Sequence, residues 1–470
     1  MKIRSFFTNS SGILFSRIFG FIRDLLMAYI VGANVYSDIF FVAFKLPNLF
    51  RRVFGEGAFA QSFLPSFIAS RYKSIFAIKI IVYFTLFIIL LSIVVSIFAP
   101  LVTTIIAPGL SDMAKAEASE FVAIQFWYLP LIFLVTALGA LLQYREHFAT
   151  TAFATVLLNI ALIGGLLYAK GKEPHTIITI LSISVLIGGV LQLVVHLMVA
   201  YRFGLLKMLY IGYKSLKKHS YKIKEDTNRF FKNFFPAIWG NSTAQVMAFM
   251  DTWLASFLIS GSISYLYYAN RIFQLPLAVF AIALSVAIFP SIAKLLNSNK
   301  EKEAIGELKK GFWILLFLLS VATLGGVIFS KEIIWLLFQR GAFEFDDTIM
   351  TASVLQAYMI GLLPFGLSKL FSLWLYSNHQ QLKAAKIATW ALGGYIVSAL
   401  LLIDSFGVVG LAFAGTISGF ISFVLLLKSF EFGKFLMIID KRYILVYLLS
   451  MLVVFIVFMV LHNFLIGYIN

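Results

Sequence analysis

The chain has 470 residues, of which 61% are hydrophobic and only 13% are charged, and it contains no cysteine. Such a composition excludes an ordinary soluble globular protein. The lack of cysteine excludes a disulfide framework, a thiolate metal site and a cysteine nucleophile. Lys and Arg exceed Asp and Glu by 17, and the distribution of this charge along the chain indicates membrane topology and no nucleic-acid binding.

Apolar segments of 18 or more residues recur along the chain, each long enough to cross a bilayer as a helix. They lie at about 10–32, 36–70, 76–100, 120–143, 150–169, 176–201, 233–259, 262–292, 312–330, 348–376, 384–403, 408–427 and 443–467. The pattern predicts an all-α polytopic membrane protein of 13 to 14 spans. The first segment carries Arg17, Arg23 and Asp24, which favours a spanning helix over a signal peptide.

Lys and Arg also predict the orientation, because loops rich in these residues favour the cytoplasmic side. With the N-terminus inside, 26 of the 38 Lys and Arg residues fall in cytoplasmic segments, five fall outside and seven lie within spans. We therefore expect a multi-pass protein of the bacterial cytoplasmic membrane with a cytoplasmic N-terminus. The basic segment at 206–232 is most simply a linker lying against anionic lipid headgroups.

That linker divides the predicted spans into two sets of six. We predict an N-terminal lobe at 1–205 with spans 1 to 6, the linker at 206–232, a C-terminal lobe at 233–430 with spans 7 to 12, and an additional transmembrane segment at 431–470. A Pro-Ser pair followed by a basic residue closes a span in each half, at Pro65 and at Pro290. Six is an even number, so the two lobes are expected to be related by a pseudo-two-fold axis along the membrane normal, as in parallel transporter repeats.

Seven cations lie inside otherwise apolar spans: Arg17, Arg23, Lys45, Arg51, Arg52, Arg271 and Lys369. Each costs roughly 2.5 to 3.5 kcal/mol at the centre of a spanning helix. Arg17 and the acid Asp24 are seven residues apart, two helical turns, and Asp38, Lys45 and Arg52 repeat this step in the second span. Each set is therefore expected to lie on one face of its helix. Pro47 removes a backbone hydrogen bond in the second span, so we expect that helix to bend beside its own cations.

These cations have two interpretations. They pair with the acids of the same spans, Asp24, Asp38, Glu56 and Asp251, or they hold an anionic ligand. Seven cations against four acids leave a formal charge of +3, which favours the ligand. Arg is suited to phosphate because its planar guanidinium makes two parallel charge-assisted hydrogen bonds.

In the C-terminal half, Arg271 lies about ten residues into its span, which argues against simple snorkelling to the interface. Asn270 and Gln274 flank it and are able to donate hydrogen bonds without neutralising its charge. Lys369 is the other cation of this half. The predicted binding residues are therefore the seven cations, with Asp24, Asp38, Glu56, Asn270 and Gln274 in supporting positions.

Three sequence runs carry a resemblance to a known family: FSRIFGFIRD at 15–24, SDIFFVAFKLPNLFRR at 37–52 and EGAFAQSFLP at 56–65. They closely resemble the MurJ (MviN) lipid II flippases of the multidrug/oligosaccharidyl-lipid/polysaccharide (MOP) superfamily. The similarity extends through the segment ending at Arg271 and covers the chain to about residue 430.

The resemblance implies a V-shaped transporter whose central cavity alternates between cytoplasmic and periplasmic access. By this similarity, Arg17, Arg23, Arg51 and Arg271 engage the lipid diphosphate and headgroup, with Asp38, Lys45, Glu56 and Lys369 in support. The family has two extra C-terminal helices, whereas one span is readable here. Some relatives hold sodium at an acid of the seventh span, which Asp251 matches, although 384–403 contains no Asp or Asn.

The expected partners are lipid II and membrane lipids, with no nucleic acid, for a monomer associated with cell-wall synthesis proteins. The membrane potential is the expected driving force. The alternatives are a flippase for another polyprenyl-diphosphate oligosaccharide, or a MATE-like ion-coupled exporter, although a cation exporter needs a negative cavity. An enzyme is not expected, because the sequence has no P-loop, no His-Glu-x-x-His motif and no carboxylate pair with acid–base spacing.

Overall fold

The computed structural model describes residues 3–52 and 58–469, without the side chains of residues 3–10, 13, 239–244 and 466–469. Within these ranges the chain is almost entirely helical and has no β-strand. It forms two compact units, Met1–Gly261 and Ser262–Asn470, each with its own internal packing. The predicted all-α class is therefore confirmed.

In the first unit the described residues form eleven α-helices. They are α1 (Ile3–Val31), α2 (Val35–Phe50), α3 (Ala58–Ala69), α4 (Lys73–Ile97), α5 (Ala99–Ile106), α6 (Asp112–Gln125), α7 (Tyr128–Tyr144), α8 (Ala149–Ala169), α9 (Pro174–Arg202), α10 (Leu205–His219) and α11 (Lys224–Ala255). The helix α11, which corresponds to the predicted seventh span, packs against α3 and lies in the first compact unit. The predicted division into two lobes of six spans stays a prediction.

The second unit contains eight helices. They are α12 (Ser262–Pro276), α13 (Ala283–Asn297), α14 (Glu301–Ile328), α15 (Ser330–Phe338), α16 (Phe345–Ser377), α17 (Gln381–Phe430), α18 (Phe432–Ile438) and α19 (Lys441–Ile469). A π-helical stretch at Leu277–Ile282 joins α12 to α13 directly after Pro276. Pro cannot donate its backbone hydrogen bond, and the wider turn accommodates that loss.

Nine helices among the described residues are long and apolar enough to cross a membrane. They are Lys73–Ile97, Asp112–Tyr144, Ala149–Ala169, Pro174–Arg202, Ser262–Asn297, Glu301–Ile328, Phe345–Ser377, Gln381–Phe430 and Lys441–Leu465. The remaining predicted spans correspond to α1, to α2 with α3, and to α11, the helices that carry most of the intramembrane charge. The chain is therefore a multi-pass membrane protein.

The 50-residue helix α17 is two helices joined at Gly407, whose backbone is non-helical with φ 53° and ψ −132°. A positive φ is accessible to glycine at little cost and strained for other residues. The break falls between the apolar segments at 384–403 and 408–427, so both predicted spans lie within α17. In the same C-terminal region, α18 has only seven residues, and α19 is the one long helix described after Phe430.

A cluster of phenylalanines in stacked and edge-to-face pairs forms much of the core of the first unit. Phe59 lies 5.1 Å, between ring centroids, from both Phe63 and Phe133, and Phe84 lies 5.2 Å from Phe234. These side chains come from α3, α4, α7 and α11, and all are buried. Aromatic pairs at such distances contribute beyond their buried area, so the cluster holds α11 against the first unit.

In the second unit, α16 occupies the centre and packs against α12, α13, α14, α15 and α17. Its C-terminal half carries Phe371 and Trp374, whose ring centroids lie 5.2 and 4.9 Å from that of Phe430 at the end of α17. The last helix, α19, packs on α14 and exposes most of its apolar surface. Such a helix suits a lipid environment.

Candidate functional site

Arg23 and Asp24 of α1 form an ion pair. Nη2 and Nε of Arg23 donate to Oδ1 of Asp24 at 2.6 and 3.1 Å, and the Asp24 side chain is only 2% exposed. Arg23 Nη1 also donates to Asn159 Oδ1 of α8 at 3.2 Å, while Asn159 Nδ2 donates to the carbonyl of Ser16 at 3.2 Å. One arginine charge is thus neutralised locally, and the same cluster fastens α1 to α8.

Arg17 lies two turns before Asp24 on the same helix but in a different environment. It is exposed, and it makes no ion pair with any residue that the structure describes. The predicted shared face of Arg17 and Asp24 therefore has a buried, paired end and an exposed end. The exposed guanidinium keeps its donors available for a ligand.

Asp38, in the first turn of α2, is buried with 2% exposure. Its Oδ2 accepts a hydrogen bond of 2.7 Å from the backbone N–H of Gly261, the last residue of the first unit. Nearby, the N–H of Gly109 donates to Ser256 Oγ at 3.0 Å. Both contacts fix the end of α11 and the turn that follows it. Asp38 therefore holds the backbone of that turn in place through the Gly261 N–H.

Three cations lie in and directly after the second half of α2, close to Pro47 in the sequence: Lys45, Arg51 and Arg52. Lys45 is half-buried and lies within electrostatic range of Asp251 on α11 and of Arg52. Arg51 donates from Nε and Nη2 to Asn48 Oδ1 at 3.3 and 3.0 Å, which holds its guanidinium along the helix. The helix α2 ends at Phe50, and the chain continues into a wider helical turn at positions 51 and 52.

Arg271 of α12 lies on a helix that is held to α16 on both sides of it. Tyr265 Oη donates to Asp347 Oδ1 at 3.0 Å, and the Phe273 ring packs against Tyr358 at a centroid distance of 5.6 Å. Arg271 itself is half-buried. These two anchors fix the position of Arg271 along the helix, six residues before the π-helical stretch begins.

The flanking amides of Arg271 contact each other. Gln274 Nε2 donates to Asn270 Oδ1, one turn apart on α12. Asn270 and Gln274, both predicted as supporting residues, are therefore joined by a hydrogen bond that uses one N–H donor of Gln274. Lys369, the other predicted cation of this unit, is exposed on α16.

Glu56 lies outside the described residues, so its predicted supporting position stays a prediction. Among the residues that the structure describes, no cluster of three or more His, Asp or Glu side chains has the arrangement of a metal site. Asp251 as a sodium ligand also stays a prediction. Sodium there would require backbone or hydroxyl oxygens as further ligands.

Two features of the site were missed in the sequence. Asn159 is a lone amide in the apolar segment at 150–169, and a polar side chain inside a span is itself a signal of a contact between helices. The bond between Tyr265 and Asp347 joins two distant segments, and no local pattern in the sequence predicts it.

The fold is that of a multi-pass membrane transporter. The chain superposes on a solved inward-facing multidrug resistance MATE family transporter of the MOP superfamily with a TM-score of 0.68. The match covers 89% of this chain and 94% of that chain at 10% sequence identity, which shows a shared fold.

The family follows from closer matches. The family model described as lipid II flippase MurJ matches residues 27–469. A probable lipid II flippase MurJ of Helicobacter pylori is 47% identical over 424 residues, which are 88% of this chain and 92% of that protein. A solved lipid II flippase MurJ in an inward closed conformation has a TM-score of 0.79 at 26% identity and covers 98% of this chain and 99% of its own.

The chain belongs to the MurJ family of lipid II flippases. The resemblance of the sequence to this family is thereby confirmed, as is the expectation of a transporter and not an enzyme. The apolar helices and the family together place the chain in the inner membrane as a multi-pass protein.

Proposed function

We propose that this chain moves lipid II from the cytoplasmic to the periplasmic leaflet of the inner membrane by alternating access, with its N-terminus in the cytoplasm. The family named after this activity and the 47% identity to a probable flippase support the substrate. The excess of Lys and Arg in the loops assigned to the inside supports the orientation.

The observation that carries the proposal is the excess of cations on apolar helices. Of the charges in the described spans, Asp24 neutralises Arg23 and Asp251 lies near Lys45. Asp38 accepts a backbone hydrogen bond from Gly261. In the sequence the seven cations exceed the four acids of the same spans by a formal charge of +3, and a diphosphate is the ligand chemistry that offsets it.

Each cation has a proposed contribution. Exposed Arg17 and Arg52 bind the diphosphate directly, and Arg51 does so from the guanidinium position that Asn48 fixes. Arg271 and Lys369 add positive potential, whereas Arg23, paired with Asp24, and Lys45, near Asp251, are supporting residues that hold their helices in position. A charged headgroup does not cross hydrocarbon unaided, because its hydration must be replaced by comparable contacts.

Binding of the headgroup also supplies free energy for the conformational change of the transporter. Like charges on the helices repel one another, and a bound anion relieves that repulsion in the closed state more than in the open one. With the cell interior negative, outward movement of an anion is favoured by about 2.3 kcal/mol per charge per 100 mV. Collapse of the membrane potential in vesicles is therefore expected to slow transport, and unchanged flux would exclude this driving force.

The test is the exposure of lipid II in the outer leaflet of a bacterium that is depleted of its own flippase and expresses this chain. We expect the chain to restore exposure and Arg17→Ala to lose it at equal membrane expression. Arg340→Ala is the matched control, because the Arg340 side chain is exposed in a loop and donates to the Leu336 carbonyl at the end of the preceding helix. Failure of the unmodified chain to restore exposure would overturn lipid II as the substrate and favour another polyprenyl-diphosphate sugar.

A further inference from the structure

The segment between the spanning helices α9 and α11 forms a basic amphipathic helix. From Arg202 to Lys224 the chain has seven Lys and Arg residues and no Asp or Glu. A break at Gly204, with φ 70°, separates α10 from α9. Neither the intramembrane cations nor the proposed transport step uses this segment.

One face of α10 is seated on the first unit. Its buried residues are Leu205, Leu209 and Gly212, which recur every three to four positions and thus share a face. A Cβ atom at Gly212 would lie 2.2 Å from the Ser74 carbonyl oxygen, so glycine allows the backbone of α10 to lie directly against the start of α4. The helix is therefore fixed in position on the protein.

The opposite side of the helix carries the charge. At about 100° per residue, Lys207, Lys214, Lys217 and Lys218 lie on the side facing away from the buried residues. All four are exposed. We call these four lysines the α10 surface.

Exposed apolar groups lie among and beside these lysines. Tyr210, Ile211 and Tyr213 are 58, 50 and 62% exposed, and Lys214 Nζ lies 4.6 Å from the centroid of the Tyr210 ring. A surface that faces only water gains nothing from exposing Ile and Tyr together. Lysines mixed with tyrosines are typical of the level of lipid headgroups, where the ring contacts acyl chains and the charge contacts phosphate.

We infer that the α10 surface is a docking site for anionic phospholipid headgroups of the cytoplasmic leaflet. The lysines supply charge complementarity to the phosphates, and Tyr210 and Ile211 insert at the headgroup boundary. Docking holds the start of α4 and the end of α9 at a fixed depth. The inference rests on the proposed cytoplasmic orientation of this segment and does not depend on which lipid is transported.

The absence of native cysteine makes a local test practicable. Ser215→Cys in the full chain carries a bimane fluorophore beside the α10 surface, in vesicles of phosphatidylcholine and phosphatidylglycerol. A nitroxide is placed near the top of the acyl chain of one lipid or of the other. The ratio of the two quenching efficiencies reports which lipid lies next to α10.

We expect phosphatidylglycerol to be preferred at least about fivefold near 0.1 M salt. The preference should fall at 1 M salt, where the Debye length shrinks from about 10 to about 3 Å. Replacing the four lysines of the α10 surface with glutamine should bring the ratio close to that of bulk lipid, and replacing them with arginine should preserve it.

The matched control replaces four exposed lysines of the second unit with glutamine, namely Lys300, Lys302, Lys310 and Lys428. It changes the net charge equally and should leave the ratio unchanged. Equal quenching by the two lipids in the unmodified chain would overturn the inference, and so would a preference that survives the glutamine substitutions in α10. A thermal unfolding curve for each variant checks that the protein remains folded.

Discussion

The carboxylate of Asp38 and the backbone N–H of Gly261 are joined by a 2.7 Å hydrogen bond across 223 residues of sequence. The bond ties the first turn of α2 to the turn that precedes α12. Because the carboxylate is buried and charged, this bond is stronger than one between neutral groups. It connects the helix that carries Lys45 and leads into Arg51 and Arg52 to the end of the first unit.

Asp38→Ala is expected to release the Gly261 amide. A hydrogen bond to a charged group contributes about 1.5 to 3 kcal/mol, so amide exchange at Gly261 should accelerate by roughly ten- to a hundredfold. Hydrogen–deuterium exchange of the peptide spanning residues 258–262 measures this. Ser256→Ala is the matched control, since it removes the Gly109 contact and should accelerate exchange at Gly109 with a smaller effect at Gly261. Unchanged exchange at Gly261 in Asp38→Ala would show that the bond does not form in the membrane.

Substitutions at two positions of α1 are expected to have different effects, one on stability and the other on transport. Asp24→Asn leaves Arg23 without its neutralising partner in a partly buried position and should cost roughly 3 kcal/mol of stability. Arg17→Gln changes an exposed group without an ion pair among the described residues, so it should leave the unfolding temperature unchanged while transport falls. Thermal unfolding in detergent and lipid II exposure in cells measure the two effects. A lower unfolding temperature in Arg17→Gln would contradict this prediction.

Much of the fold follows from the sequence, because long apolar runs leave few alternatives to spanning helices. The two spans on either side of Gly407 are one example, since the glycine lies between two apolar segments. The assignment of α11 to a compact unit did not follow. Its packing depends on Phe230 and Phe234 meeting aromatic residues of α3 and α4, and residues so far apart in sequence leave no local pattern.

The intramembrane cations could be named from the sequence, whereas most of their partners could not. Periodicity places Arg17 and Asp24 on one face. Asp24 nevertheless bonds its neighbour Arg23, because the arginine side chain is long enough to bend towards the next residue. Asn159 completes that cluster from another helix. Periodicity thus locates a polar face and does not determine which side chain is neutralised on it.

Lys45 and Asp251 are expected to be energetically coupled. If Asp251 neutralises Lys45, as their electrostatic proximity indicates, then Lys45→Gln and Asp251→Asn should each lower stability, and the double variant should lose less than the sum. A double-mutant cycle should give a coupling of about 1 kcal/mol or more. The competing expectation is a sodium site at Asp251. In that case the cycle shows no coupling, and Asp251→Asn removes a dependence of transport on sodium over potassium.

Acid is expected to loosen the junction between α18 and α19. Lys309 Nζ donates to Asp440 Oδ2 at 2.9 Å, and this bond, together with the N–H of Arg442, lowers the pKa of Asp440 below its usual value of 3.8. A carboxyl whose pKa is lower in the folded state stabilises the fold above its unfolded pKa. That contribution is lost as the pH falls through the lower, folded value. The junction should therefore be unaffected from neutral pH down to about 4 and should loosen only below it.

The mobility of a spin label at Tyr443→Cys reports this change, since the Tyr443 side chain is exposed and lies one helical turn from Asp440. Asp440→Asn should show the looser, acid-like spectrum already at neutral pH, with little further change on acidification. Glu431→Gln serves as the matched control, because it removes a nearby carboxylate that pairs with Lys434 and leaves the Lys309 bond in place. Identical titrations of the unmodified chain and Asp440→Asn would assign the acid transition to another group.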